Sequence, residues 1–265
     1  MSLKNFFGFN FQTLKQFLSA DLKIDEKKTS MRAKQLWQAV YKKGLEELNH
    51  LTTLPVELRD ELISKITLEK PKIADTQTSE DGTIKWLIEL LDGNKVECVF
   101  IPEKTRGTLC ISSQVGCSLS CVFCATGRLK LLRNLTAGEI VDQVVYLRNQ
   151  AENRYKTPLS NIVYMGMGEP LLNYKNVLRS TKMLCSEKGL GISPRRITVS
   201  TAGIAKMIRK LGDDEVRFNL ALSLHAANDE KRNKLMEINE TNNLEELSEA
   251  LIYFHEKTGT RVTFE

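Results

Sequence analysis

Three cysteines fall within eight residues, Cys117-Ser-Leu-Ser-Cys121-Val-Phe-Cys124. Thiolates this close, on a polar and turn-prone loop with Ser118, Ser120 and Gly127, can each hold one iron of a cubane cluster. Iron–sulfur clusters usually take four cysteines, so three would leave a fourth iron open to an outside ligand. A structural zinc site normally pairs its cysteines across a longer spacer; Cys110 would have to be the fourth thiol of such a site. Nothing in the chain suggests secretion, and clustered cysteines then point to metal or redox chemistry rather than to a disulfide framework.

Other residues gain interest from where they fall. Met165-Gly166-Met167-Gly168-Glu169-Pro170 follows an apolar run, and its glycines let backbone approach a ligand closely. Glu169 is a carboxylate able to accept from an ammonium group. Ser200 and the triplet Ser223-Leu224-His225 close two further runs. Taken singly, these read as a turn, a helix cap and a structural histidine. Glu97, in Lys95-Val-Glu-Cys-Val-Phe-Ile101, reads by itself as a solvent-face carboxylate, with Cys98 sent to the opposite face by strand alternation. Cys110 reads as a small buried hydrophobe, and Cys185 as core on a helix with Leu178, Met183 and Leu184. His50 and His255 receive no role.

The elements that must position these groups are legible as a rhythm. Residues 1–72 read as a small helical domain, with Ser30 capping a helix from Met31 to Lys43, Gly44 closing it, and Pro55 opening another that runs to Ile66. Residues 73–106 read as a linker and a β-hairpin turning at Asp92-Gly93-Asn94. From 107 to 265 strands alternate with helices. The strands fall at 108–115, 161–165, 196–200, 217–224 and 261–265; the helices at 137–150, 174–188, 203–211, 229–236 and 244–257. Thr136 with Glu139, and Asn243 with Glu246, resemble capping boxes. Such alternation implies an α/β fold with a parallel sheet, which gathers function at the C-terminal ends of its strands.

Composition sets bounds. The 265 residues are 42% hydrophobic and 27% charged, ordinary values that exclude wholesale disorder and fibrous architectures. No run approaches the ~18 apolar residues of a membrane span. The phenylalanine-rich N-terminus is broken by Asn5, Gly8, Asn10 and Gln12, and reads as core helix rather than signal peptide. Residues 101–210 carry 17 basic and 6 acidic side chains, whereas 211–265 carry 6 and 12. A basic centre of this kind is the footprint a phosphate-rich partner uses.

The spacing CxxxCxxC, with an aromatic before its last cysteine, resembles the radical S-adenosylmethionine (SAM) enzymes. The stretches TLCISSQVGCSLSCVFCATG, RNLTAGEI, GMGEPLLN, STAG and SLHAAND, with RAKQLW and DGTIKWL nearer the N-terminus, are similar to the RlmN/Cfr family of RNA adenine methyltransferases. The resemblance runs from about residue 30 to the last residue. It implies a (β/α)6 barrel, here partial. It also implies a 4Fe-4S cluster on Cys117, Cys121 and Cys124, and SAM bound to the open iron and cleaved to a radical. SAM contacts would come from Gly168, Glu169, Ser200, Ser223, Leu224 and His225. Glu97, in VECVFIP, inherits the removal of a proton from adenine C2. Cys110 inherits a transient disulfide with a second cysteine.

That second, methyl-carrying cysteine lies in the family's C-terminal motif, and this sequence reaches Glu265 inside the expected fifth strand. The expectation is therefore a fragment whose own 265 residues do not complete turnover. The implied substrates are ribosomal RNA and transfer RNA, the implied reductant a flavodoxin or ferredoxin, and the implied setting a cytoplasmic monomer without membrane contact. The alternatives are an RNA-binding module with a structural metal site, and a C8-methylating relative. N-terminal RAKQLW and YKKG favour the C2 reading.

Overall fold

The computed structural model describes residues 3–155 and 158–265, without the Asn153 side chain. Helices α1 (Phe11–Ala20), α2 (Glu26–Tyr41) and α3 (Val56–Ile63) come first. Eight strands then form one sheet in strict chain order: β1 (Lys72–Thr78), β2 (Ile84–Glu89), β3 (Lys95–Pro102), β4 (Gly107–Cys110), β5 (Leu159–Tyr164), β6 (Ile197–Thr201), β7 (Asn219–Leu222) and β8 (Val262–Phe264). From β1 to β4 the pairing is antiparallel. From β4 to β8 it is parallel, each crossover carrying a helix: α4 (Ala137–Tyr155), α5 (Tyr174–Cys185), α6 (Ala205–Asp213), then α7 (Asp229–Leu235) with α8 (Leu244–Thr258). The expected partial α/β barrel is thus present as five parallel strands, the fifth ending at Phe264.

Alternation along the strands divides the two faces. Leu109, Ile162, Tyr164, Ile197, Val199, Leu220 and Leu222 are buried beneath the helices. Burying each such side chain contributes about 2 kcal/mol. Their neighbours Thr108, Cys110, Asn161, Val163 and Thr198 lie on the other face and are only half-buried. Phe6, Trp37 and Tyr41 of the N-terminal helical region stack on one another, Trp37 and Tyr41 with centroids 4.6 Å apart, and join the same continuous core.

Several local expectations shift. Helix α2 begins at Glu26, capped by Asp25, whose side chain accepts from Lys27 N at 2.8 Å; Ser30 is inside it. Thr29 is buried and bonds back to the Ile24 and Asp25 carbonyls, so the earlier start packs more side chain. Gly44 does sit past the helix end at φ +64°. Helix α3 stops at Ile63, and Ile66 pairs instead with Lys4 in a short strand. The segment expected to start as a linker is strand β1, making a three-stranded antiparallel edge rather than a lone hairpin. The strand expected over 108–115 ends at Cys110; a separate two-residue pairing, Gln114–Val115 with Arg133–Asn134, follows it. The Thr136–Glu139 capping box is complete, with bonds of 2.8 and 3.2 Å.

Candidate active site

The pairing of Gln114–Val115 with Arg133–Asn134 pinches the chain into a neck. Between its two arms runs the cysteine loop. Gly116 makes the neck possible: at φ +74° it sits so close to the Lys130 carbonyl that any Cβ would lie 1.8 Å from the oxygen. Inside the loop, Cys124 N donates to Cys121 O and Gly127 N to Cys124 O. Val122 N donates to Leu235 O, and Ser120 Oγ to a Glu237 carboxylate oxygen, which docks the loop on the end of α7.

The glycine loop after β5 faces it. Gly168 has φ +95°, and a Cβ there would lie 2.4 Å from Gln114 Cβ. Gln114 Oε1 in turn accepts from Glu169 N at 2.8 Å. Glu169 is buried, its carboxylate accepting from Leu171 N at 3.0 Å and Ala202 N at 2.7 Å. Burial pushes its carboxyl above the usual range, while these donors pull the other way. Ser200 Oγ and Ser223 Oγ lie 3.4 Å apart at the ends of β6 and β7. His225 takes φ +56° beyond β7, its ring edge-on to Phe123 of the cysteine loop at 4.4 Å.

These elements enclose one cleft of about 250 Å³ at the C-terminal ends of the parallel strands. Cys117, Cys121, Cys124, Gly168, Glu169, Ser200, Ser223 and His225 all line it. Leu224 does not: alternation turns its side chain from Ser223, into an apolar groove with Leu222, Leu247 and Phe264. Glu97 and Cys110 lie on the sheet face below. Val99 pairs with Cys110, so Glu97, two residues before Val99, shares the face of Cys110. Glu97 meets Lys85 Nζ at 3.1 Å, and its backbone is tied to Ser112 Oγ and Met167 Sδ, beside the glycine loop. Cys98 points the other way, fully buried against Gln143 Oε1. All six cysteines are free. Burial pushes the Cys110 thiol up to about 11.

Sequence reasoning missed Arg232. Within Asp-Glu-Lys-Arg it looks like part of a surface charge run, yet it is fully buried. Its guanidinium donates to the carbonyls of Ala202, Ser223 and Leu224 at 2.6–3.1 Å and to Asn239 Oδ1, tying the ends of two strands together. No local pattern marks a residue whose partners all come from folding. Gln114 and Gln143 were missed for the same reason.

Residues 111–265 match the model of the radical SAM superfamily. A probable dual-specificity RNA methyltransferase RlmN of Cytophaga hutchinsonii is 54% identical over 89% of this chain and 65% of its own length. The corresponding protein of Flavobacterium psychrophilum is 47% identical over 92% of this chain and 71% of its own length. The chain belongs to the RlmN family of radical SAM proteins. The crystal structure of a radical SAM methyltransferase from Sphaerobacter thermophilus superposes with a TM-score of 0.90 at 37% identity, covering 98% of this chain and 75% of that one. The chain therefore spans about two thirds of the length of these RlmN relatives.

The RlmN family implies a 4Fe-4S cluster and SAM, and the residues fit both. Among the described residues, no three His, Cys, Asp or Glu side chains converge on a single ion position. Separate irons of a cluster ask for spaced thiols rather than a point. Burial raises the Cys117 and Cys121 thiols, Cys121 to about 11; the nearby Cys124 and Glu169 add to both rises, and Cys117 adds to that of Cys121. Cys110 is outside the cleft lining, so a four-thiol zinc site has no fourth member there. The buried carboxylate and the two serines supply acceptors for an amino-acid moiety beside the cysteines.

Proposed function

We propose that this chain carries the cluster- and SAM-binding core of a methyltransferase. It would act on C2 of an adenosine in large-subunit ribosomal RNA and of the adenosine beside the tRNA anticodon. The observation that supports it most is the shared cleft: three thiols from one loop face Glu169, Ser200, Ser223 and His225 from three different strand ends. Cys117, Cys121 and Cys124 would hold the cluster, whose bound form supplies the electron that cleaves SAM. Glu169, oriented by Leu171 N and Ala202 N, would accept from the amino group of SAM. Gly168 keeps backbone close to the ligand. Ser200, Ser223 and His225 would line its far side, with Phe123 edge-on to the His225 ring.

Glu97 would accept the adenine C2 proton at its carboxylate, which Lys85 steadies from the adjacent strand. Cys110, on the same face, would be the redox partner of a second cysteine that the family resemblance places beyond residue 265. A reductant protein such as a flavodoxin or ferredoxin would deliver electrons. The protein would work as a cytoplasmic monomer; among the described residues no helix is long and apolar enough to cross a membrane.

The test joins residues 1–265 to the C-terminal third of an RlmN relative and measures labelled methyl transfer to RNA. C2-methyladenosine is expected, lost in Glu97→Gln and in Cys121→Ala. A C8 product would move the protein to the C8-methylating branch. A colourless zinc-loaded protein that binds RNA without methylating it would replace the enzyme reading with the binding module.

A further inference from the structure

The strand ends opposite the cleft carry a second feature that the chemistry above does not use. Arg195 precedes β6, Arg217 precedes β7 and Arg261 precedes β8, and all three are exposed. Together with Asn219, Thr258 and Thr260 they line a pocket of about 700 Å³. Asn219 Nδ2 donates to the Arg195 carbonyl at 2.9 Å, which fixes the loop that presents the first guanidinium. None of the three arginine side chains has a hydrogen bond or ion pair among the described residues.

The nearby carboxylates are turned elsewhere. Asp213 accepts from Tyr253 Oη at 2.6 Å, and Asp214 accepts from Tyr174 Oη at 2.6 Å while lying 3.6 Å from Lys210 Nζ. Glu215 lines the neighbouring cavity under α5, which Arg217 also borders, and Glu256 lines a groove that Arg261 borders; neither carboxylate ion-pairs with an arginine of this pocket among the described residues. Three uncompensated guanidiniums around one concavity repel each other, and an anion entering it relieves that repulsion with charge-assisted bonds. Guanidinium forks suit phosphate in particular. The arginines begin three adjacent strands, so they form a row about 10 Å long. A row of that length matches consecutive phosphates of a strand better than one small anion.

We propose that the Arg195–Arg217–Arg261 pocket binds backbone phosphates of the RNA substrate. It would be a foothold separated from the reaction cleft by the length of the parallel strands, about 15 Å. This rests on the RNA-methyltransferase reading. It assigns the pocket no part in cluster or SAM binding. Its contribution would be sequence-independent affinity that falls as salt rises, because phosphate contacts release counterions.

The experiment compares the wild-type chain with the triple variant Arg195→Gln, Arg217→Gln, Arg261→Gln and with the triple lysine variant. The probe is an unmodified tRNA transcript, titrated from low to moderate salt. The glutamine variant should bind at least tenfold more weakly near 0.1 M salt, with the slope of log affinity against log salt smaller by about 2–3. The lysine variant should keep most of the wild-type slope, and both should load iron and melt like wild type. An unchanged slope in the glutamine variant overturns the proposal while leaving the RNA reading intact. Wild-type protein that binds no RNA overturns both. Inorganic phosphate that displaces the RNA at matched phosphate concentration would make this a small-anion site, and overturns the RNA assignment as well.

Discussion

The cleft has two walls built on different principles. The glycine loop is internally finished. Gly168, Glu169 and Gln114 interlock, both Glu169 carboxylate oxygens have backbone donors, and Met167 and Leu171 are buried. Among the described residues, the cysteine loop is held at its neck, by two bonds to the end of α7 and by the Phe123–His225 ring contact, and it leaves Val122, Phe123, Leu129 and Leu132 more than half exposed. One wall is organised by the polypeptide before any ligand arrives. The other presents three thiols without a common partner of their own. On the proposed assignment, protein contacts would preset the SAM side and cluster loading would order its opposite.

The largest test of this contrast removes one thiol. Cys121→Ala should abolish iron and sulfide uptake after anaerobic reconstitution, whereas Cys185→Ala, at the C-terminal end of α5 on the margin of the core, should load normally. Equal loss in both variants would show that the cysteine loop is not the cluster's seat. With wild-type protein, loading should slow amide exchange across residues 117–129 and leave 165–171 unchanged. Exchange that slowed equally in both loops would erase the difference between the walls.

Gly168→Ala attacks the finished wall. A Cβ at φ +95° against Gln114 combines backbone strain with overpacking, so stability should fall by about 3 kcal/mol or more in denaturant unfolding. SAM affinity should fall with it. A smaller step is Arg232→Met, which leaves the carbonyls of Ala202, Ser223 and Leu224 without their donor. It should cost about 2–3 kcal/mol and weaken SAM binding, while iron uptake through the cysteine loop persists. Loss of iron before loss of SAM binding would mean that Arg232 supports the cysteine loop more than the strand ends.

The smallest expected effect is Thr136→Ala. It removes half of the capping box at the start of α4, just after the neck closes, and should cost about 1 kcal/mol with cluster and SAM binding retained. A change in cluster loading from this variant would show that the neck transmits strain into the cysteine loop.

The residues that could be read from the chain were those whose partners are local. That Cys117, Cys121 and Cys124 would share one cleft was legible because their spacing puts them on one short loop. The Thr136–Glu139 capping box and the turn at Asp92-Gly93-Asn94 were legible because their hydrogen bonds close within three residues. Where two local signals competed, packing chose. Asp25 displaced Ser30 as the cap of α2 because the longer helix buries Thr29. Leu224 lies between the cleft residues Ser223 and His225, and the pleat of β7 sends its side chain to the other face, which spacing along the chain did not show.

What the sequence determined by itself was the order of strands and helices from residue 107 onward, the cysteine spacing, and hence which strand ends would meet. Tertiary structure alone decided the rest. It placed Glu97 on the face of Cys110, gave Glu169 a donor from the loop after β6, buried Arg232 behind three carbonyls, and left three arginines unpaired at the far end of the same strands. The physical reason is the range of the interactions. Caps, turns and ligand spacings are satisfied within a few residues. A buried charge or an open face depends on groups from separate elements, such as the Ala202 carbonyl thirty positions before Arg232, brought together when the sheet forms.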